Sequence, residues 1–412
     1  MSNRILFNLV FLMLLTPFPV VNAQENFTGK TMGPIDYQVT IYDDIDDRQK
    51  LTEGIQSTLD KVNRLMSTYQ KDSDVSRFNR ATVDQWIEVD VTTVTVIQRA
   101  IELSELTGGA FDITVGPAVN AWNFGPQKSK ALPSDQEVAE LQNRVGYEHI
   151  QYQANPPSLR KSKGRVQIDL SAIAKGFAAD EVQRYLTDQQ LKNFMVEVGG
   201  EVVVSGETAK GPWRIGIEKP VEMVRQVAEV VELTDCAMAT SGDYRNFRMV
   251  DGERLSHTID PKTCRPIKNP PASVSVVAPD CMTADAMATA IMVMGIEKGL
   301  KVCQENGLQM NAYQRKSKEV STATKHTPEF PMAPLEINAT NDEASIWPAF
   351  VGAMVIFMLA ITSMAVGAIF NQKPIRGSCG GISPTASEDG STACSLCSKP
   401  IAECPEKASA TV

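Results

Sequence analysis

Residues 166–204 read VQIDLSAIAKGFAADEVQRYLTDQQLKNFMVEVGGEVVV, and three patterns succeed one another within them. Val166, Ile168 and Leu170 alternate with polar neighbours, which predicts a strand over 166–170. From Ala174 to Leu186 the apolar residues recur at helical spacing, and Met195 to Val204 returns to strand character. Outward from this stretch, strands are predicted at Tyr37–Tyr42, Trp213–Ile217, Val227–Leu233 and Ala272–Val277. Helices are predicted over Arg48–Met66, Val91–Leu106 and Thr283–Met294, the second ended by Gly108-Gly109. Strands in groups with helices between them define an α+β domain, not a doubly wound sheet. Neither GxGxxG nor GxxxxGK[ST] occurs, so no Rossmann or P-loop nucleotide site is indicated.

The chain has 412 residues, enough for two or three domains. Its hydrophobic fraction of 43% and charged fraction of 22% exclude collagen and a polytopic membrane protein. The net charge of −9, without a basic stripe, argues against nucleic acid as a partner. The histidines are His149, His257 and His326 only, and HExxH is absent, so a His-rich zinc site is hard to build. Cys236, Cys264, Cys281 and Cys303 are scattered through the body, while Cys379, Cys394, Cys397 and Cys404 crowd the C-terminal end. That split suggests two redox environments.

Two apolar segments set the expected topology. Arg4, the uncharged run Ile5–Val21 and the small residues Val21 and Ala23 predict a secretory signal over 1–23; Pro17 and Pro19 argue against a spanning helix there. Residues 346–370 are long and apolar enough to cross a bilayer, and no charge lies between Glu343 and Lys373. Acidic residues precede this segment and Lys373 and Arg376 follow it, which places the C-terminus in the cytoplasm. Thr, Pro, Ala and Asn enrich 321–345, which reads as a flexible linker. The expected order is a signal (1–23), an exported domain (24–320), the linker (321–345), a transmembrane helix (346–370) and a Cys-rich cytoplasmic tail (371–412).

Several short runs carry chemistry. Gly108-Gly109-Ala110-Phe111-Asp112 sets a carboxylate after a turn. Asp169-Leu170-Ser171-Ala172-Ile173-Ala174-Lys175-Gly176 sets an anion and a cation six residues apart among small residues that let a bulky ligand approach the backbone. His257-Thr258-Ile259-Asp260-Pro261 is a polar turn between strand-like runs. Asp285 and Thr289 lie four apart on one helix face, two hard oxygens suited to Mg²⁺. Taken singly, each has an ordinary structural reading: turn chemistry for Asp112 and Asp169, a satisfied histidine for His257, surface decoration for the Asp285 and Thr289 pair. Together they point to a Mg²⁺-dependent site for an anionic ligand.

In this order the runs carry a resemblance. From about Gly29 to Gln314 the chain resembles the ApbE family, the FAD:protein FMN transferases. The matching runs include Thr31-Met32-Gly33, Met66-Ser67-Thr68-Tyr69, Ser76-Arg77-Phe78-Asn79, Gly109-Ala110-Phe111-Asp112, the 169–176 run, Gly199-Gly200, Thr240-Ser241-Gly242-Asp243-Tyr244, the 257–261 run and Thr283–Ala290. The resemblance implies that Met32 and Tyr69 pack on the flavin. It implies that the backbone of Ala110, Phe111 and Asp112, with Asp169, Lys175 and Ile259, holds FAD. It gives Mg²⁺ to the Ala172 carbonyl, Asp285 and Thr289, and a catalytic role to His257, as base or in orienting the acceptor. The implied reaction moves FMN from FAD to a Thr hydroxyl of a target protein and releases AMP. Two departures stand out: Cys264 follows Thr263 where the family usually has Gly, and Ser171-Ala172 stands where many members have Gly-Gly.

In the tail, four thiols that include one CxxC suit iron, Zn²⁺ or an iron–sulfur centre. Residues from about Pro348 to Glu406 resemble the NqrM family, on Met364-Ala365-Val366-Gly367, the 373–381 run and the later cysteines. That resemblance implies iron delivery to, or assembly of, the Na⁺-translocating NADH:quinone reductase, whose subunits would be the flavin acceptors. It implies a single-pass protein of the bacterial inner membrane with its catalytic domain in the periplasm and iron bound by Cys379, Cys394, Cys397 and Cys404. The alternatives are an FAD pyrophosphatase using the same site, or a non-catalytic, membrane-anchored metal-binding assembly factor.

Overall fold

The computed structural model describes residues 24–125, 131–221, 226–243, 247–250, 252–316 and 319–334. The signal, the second half of the linker, the apolar segment 346–370 and the tail with Cys379, Cys394, Cys397 and Cys404 lie outside the described residues. No helix among the described residues is long and apolar enough to cross a membrane.

The chain opens with the hairpin β1 (Glu25–Thr31) and β2 (Ile35–Ile41), then helices α1 (Arg48–Met66) and α2 (Asp74–Arg80). Strand β3 (Ile87–Glu88), helices α3 (Val91–Leu106), α4 (Gly116–Ala121) and α5 (Asp135–Gln142) and strands β4 (Ile150–Ala154) and β5 (Pro157–Lys161) follow. Helix α6 (Ala174–Asp188) leads into β6 (Phe194–Val198), β7 (Glu201–Ser205), β8 (Trp213–Glu218), β9 (Val227–Leu233) and β10 (Ala237–Gly242). The short strands β11 (Phe247–Val250), β12 (Glu253–Ser256), β13 (Ile259–Asp260) and β14 (Arg265–Pro266) precede β15 (Ser273–Ala278). Helices α7 (Cys281–Met294) and α8 (Ile296–Glu305) and strands β16 (Gln309–Lys316), β17 (Glu319–His326) and β18 (Met332–Ala333) complete it.

The main sheet has eight antiparallel strands in the order β1-β2-β6-β7-β10-β15-β16-β17. Its central strands are buried on both faces, and period-two alternation divides their side chains between two cores. Val203, Ala237, Ala239, Val274, Val276, Met310 and Ala312 join the large core with α1, α6 and α7. Their neighbours Val202, Val204, Met238, Val277 and Tyr313 join a second core with Trp213, Ile217, Val231 and Leu233 of the β8–β9 layer. Helix α1 brings Ile55 and Leu59, both wholly buried, and each contributes roughly 1.5–3 kcal/mol.

Three expectations are corrected. Residues 166–170 form no strand. The Ile168 N–H donates to Asn79 Oδ1 at 2.7 Å, Asn79 Nδ2 donates to the Ile168 carbonyl at 2.9 Å, and the Asp169 N–H donates to the Ile113 carbonyl at 2.7 Å. Side-chain amide and loop carbonyl replace a ladder, so the alternation of Val166, Ile168 and Leu170 reports burial alone. Residues 195–204 are not one strand but the hairpin β6–β7, turned at Gly199 (φ +64°) and Gly200 (φ +102°). The domain does not stop at 320: β17 pairs with β16, and Met332 and Ala333 pair with Val231 and Val230 of β9. The Thr-rich run from Ser321 reads equally as a tether or an edge strand, because β-branched residues suit a pleated surface.

Helices α6 and α7 meet closely. A Cβ on Gly176 would lie 2.2 Å from the Cys281 carbonyl oxygen and 2.9 Å from Asp285 Cβ, so only glycine fits. One turn further along α6, Asp180 accepts the Cys281 and Met282 N–H groups at 2.8 Å each, capping α7 from outside its own strand of sequence. Burial pushes the Asp180 acid from 3.8 up to about 7, against those two donors. A carboxyl raised in the fold contributes its stability fully below its unfolded value and loses it as pH rises through the folded value. Asp180→Asn removes that titration. Urea unfolding from about pH 4 to 8 should show the variant gaining on the wild type as pH rises toward 7 and no further gain above it; a pH-independent difference would refute the burial argument.

Candidate active site

The α6–α7 contact delivers the charged groups. Lys175, in the first turn of α6, forms an ion pair with Glu201 at the start of β7 and lies 3.8 Å from Asp285 Oδ1 on α7. Asp285 Oδ2 accepts the Gly176 N–H at 3.1 Å. Burial pulls the Lys175 ammonium down, but the charges of Asp285 and Glu201 outweigh it and lift the group to about 12. Burial pushes Glu201 up to about 8 and raises Asp285, while Lys175 pulls both down. One ammonium does not neutralise two buried acids, so together they hold a proton more tightly than either would in water.

Four residues beyond Asp285, Thr289 is half-buried, and its hydroxyl lies 3.2 Å from Ser241 Oγ of β10. Asp285 Oδ1 accepts no hydrogen bond among the described residues. That open oxygen, the Thr289 hydroxyl and the half-buried Ala172 at the loop before α6 offer hard oxygen donors, which fits Mg²⁺. No cluster of three or more His, Cys, Asp or Glu that could hold a metal exists among the described residues.

A second part gathers around the turn after α3. Ala110, Phe111 and Asp112 are buried, and the Asp112 carboxylate accepts the Thr114 N–H (2.7 Å), the Thr114 hydroxyl (2.6 Å) and the Tyr147 N–H (3.0 Å). Burial raises this acid, and these donors oppose the shift. The side chain is therefore engaged in turn chemistry. Asp169 runs alongside: its Cβ lies 3.0 Å from where a Gly116 side chain would begin, and its Oδ1 accepts the Ser171 N–H at 2.9 Å.

The 257–264 segment closes on the same turn, with Lys262 Cε 3.9 Å from the Cβ position of Gly109. His257 is half-buried and meets Phe124 edge-on, with ring centroids 6.3 Å apart. Ile259 is buried with Trp122 and Cys264. Cys264 is wholly buried at φ +52°, the left-handed region for which the family's glycine is suited. It is held by its N–H to the Asp260 carbonyl (2.8 Å) and by Trp122 Nε1, which donates to its carbonyl (2.8 Å). Burial pushes its thiol up to about 12, so it is no nucleophile at neutral pH.

Met32, at φ +46° in the β1–β2 turn, packs against the large core. The neighbouring Ile35 approaches Gly199 beside Lys175. Tyr69 stands 76% exposed, with its N–H on Ser67 Oγ, so no described protein group covers its ring. Sequence reasoning missed Glu201 and the part played by Asn79. The signal for Glu201 was an acid directly after Gly199-Gly200 at the head of an apolar strand.

Comparison with known proteins gives the class of this fold, the flavin transferases. The ApbE family matches residues 32–313. An FAD:protein FMN transferase of Vibrio cholerae is 44% identical over 302 residues, covering 72% of this chain and 90% of that protein. One of Haemophilus influenzae is 43% identical, covering 69% and 84%. The solved flavin transferase ApbE from Vibrio cholerae superposes with a TM-score of 0.68 at 42% identity, over 75% of this chain and 98% of that one. The apo flavinyl transferase ApbE of Pseudomonas stutzeri gives 0.67 at 34% identity, over 74% and 95%. The chain belongs to the ApbE family. It is an enzyme, an FAD:protein FMN transferase, with FAD as substrate and a protein as acceptor.

Asn79 holds the Asp169 segment by a two-way amide clamp, so Asn79→Ala leaves two backbone groups of Ile168 without their partner. The expected cost is about 1–3 kcal/mol in urea unfolding. The KM for FAD should rise about tenfold or more. Unchanged KM in a folded variant would dissociate the clamp from the site.

Proposed function

We propose that the chain uses Mg²⁺ to move the FMN half of FAD onto a threonine hydroxyl, with subunits of a Na⁺-translocating NADH:quinone reductase as acceptors. The observation that carries the reading is the buried cluster of Lys175, Asp285 and Gly176 at the α6–α7 contact, with one oxygen of Asp285 left open. Ala172, Asp285 and Thr289 would hold the cation, which supplies charge neutralisation to a diphosphate under attack.

The remaining work falls to protein groups. Met32 and Tyr69 would pack on the flavin, and the exposed Tyr69 ring has a face to offer. The backbone of Ala110, Phe111 and Asp112, with Asp169 and Ile259, would hold the nucleotide. The threonine oxygen forms a bond to the FMN phosphorus as the bond from that phosphorus to the bridging oxygen breaks, and AMP leaves with that oxygen. The hydroxyl proton goes to His257. Lys175, kept charged by its two acidic neighbours, faces the negative charge that builds on the phosphoryl oxygens. An FAD pyrophosphatase would use the same groups with water in place of threonine, and the product distinguishes the two.

Purified protein incubated with FAD, Mg²⁺ and an acceptor should give a fluorescent acceptor band on a denaturing gel. Free FMN without the band would favour hydrolysis. Asp285→Ala should lower transfer by about a hundredfold or more while the fold persists. Wild-type rates in that variant at low Mg²⁺ would overturn the metal assignment.

For the C-terminal part we propose a signal, a periplasmic domain, a single inner-membrane span and a cytoplasmic tail that binds iron through Cys379, Cys394, Cys397 and Cys404 for assembly of the same reductase. What supports this is the charge asymmetry about 346–370 and the four clustered thiols. A bilayer core of about 30 Å would then separate flavin and iron chemistry, so co-localisation alone links them. Replacing Cys394 and Cys397 by Ser should abolish bound iron and impair reductase assembly while FMN attachment continues. The wild-type tail thiols should resist an impermeant thiol reagent applied from the periplasmic side. Loss of FMN attachment at normal expression, or labelling without permeabilisation, would refute the arrangement.

A further inference from the structure

Glu201 is 3% exposed, and its Oε2 is buried with no hydrogen-bond partner among the described residues. A carboxylate oxygen left in that state is costly, and native proteins keep such atoms where a site requires them. Its other oxygen, Oε1, holds the Lys175 ammonium. Lys175 therefore has two acidic neighbours at unequal range: Glu201 in contact, and Asp285 Oδ1 at 3.8 Å, outside hydrogen-bond distance. The turn that delivers Glu201 is built around the lysine stem. A Cβ on Gly199 would lie 2.8 Å from Ile35 Cγ2 and 3.3 Å from Lys175 Cδ, and Gly199 has φ +64°.

We propose that Glu201 is a positioning residue for the transfer: it anchors Lys175 away from Asp285, so that Asp285 Oδ1 stays open for the divalent cation. This rests on the reading of Asp285 as a cation ligand. Asp285 Oδ2 is already occupied by the Gly176 N–H, so Oδ1 is the oxygen of this carboxylate left for a cation. Without Glu201, Asp285 is the one anion left within reach of the ammonium among the described residues, and the two would close into a direct ion pair. A metal would then have to displace a bound lysine. The glycine turn, the orphaned oxygen and the unequal spacing are thus parts of one device that keeps a buried Lys–Asp pair from forming.

The test is Mn²⁺ binding to the whole purified chain without FAD, read by the electron-spin signal of free Mn²⁺, with thermal unfolding of every variant as the folding control. The wild type should bind Mn²⁺ in a manner lost in Asp285→Ala. Glu201→Ala should weaken that binding about tenfold, equivalent to about 1.4 kcal/mol. Glu201→Gln still accepts from the ammonium through its amide oxygen, so it should fall between the two and serves if the alanine variant does not fold. In a Lys175→Met background, with no ammonium to hold, the same Glu201 substitutions should change Mn²⁺ affinity less than about twofold. Equal losses in both backgrounds, or wild-type affinity in Glu201→Ala and Glu201→Gln, would overturn the proposal and leave the cation site standing. Absence of Asp285-dependent binding in the wild type would instead remove the cation site itself.

Discussion

The close approach of α6 and α7 at Gly176 is the contact on which the site depends. With no side chain there, the Cys281 carbonyl and Asp285 Cβ come within a distance that any Cβ would forbid. The Gly176 N–H can then reach Asp285, and Lys175, one residue earlier, enters the same pocket. Asp180 secures the approach from the other side by accepting two N–H groups at the start of α7. Removing the approach would separate the lysine from the aspartate and expose the N-terminal donors of α7 together. Chemistry and helix packing are here the same contact.

The sheet explains why that contact is stable. Its central strands bury both faces, one under α1, α6 and α7 and the other under the β8–β9 layer. A sheet covered on both sides gives the helices a fixed floor, and the hairpin turn at Gly199-Gly200 lies at its rim, where it feeds Glu201 into the site. The eighth strand, β17, and the β18 strand on β9 extend that cover further along the chain than a composition-based boundary indicates.

What was legible in the sequence follows from the range of the forces involved. Helices α1 and α3 were readable to the residue, because amphipathic spacing and the caps Asp47 and Asp90 are local. The α+β class followed from the order of the elements. The 166–170 segment was misread because alternation records burial, whereas the partner that satisfies its backbone, Asn79, lies 89 residues away. The site runs at 108–112, 169–176, 257–261 and 283–290 were visible as unusual local chemistry. That they belong to one site was implied by the resemblance, but the contacts that join them were not legible, since they rest on Gly109 meeting Lys262 and on Gly176 meeting Asp285. Glu201 escaped notice because an acid after a glycine turn looks like any exposed turn residue until the sheet buries it.

Charge balance couples the ligands that such a site can hold. One ammonium against two acids leaves the Lys175, Glu201 and Asp285 cluster neutral or negative, according to whether one of the acids, both raised by burial, carries a proton. The diphosphate of FAD is itself anionic, so the cluster alone gives it little net attraction. Two unit charges about 5 Å apart interact by roughly 3 kcal/mol at an effective dielectric of 20. A dication held by Ala172, Asp285 and Thr289 would offset that repulsion, so cation and FAD would each favour binding of the other. Lys175 would then supply a fixed positive charge that needs no exchange with solvent, while the cation would supply a removable one. That division accounts for a site that keeps its lysine charged by burying it against two acids instead of one.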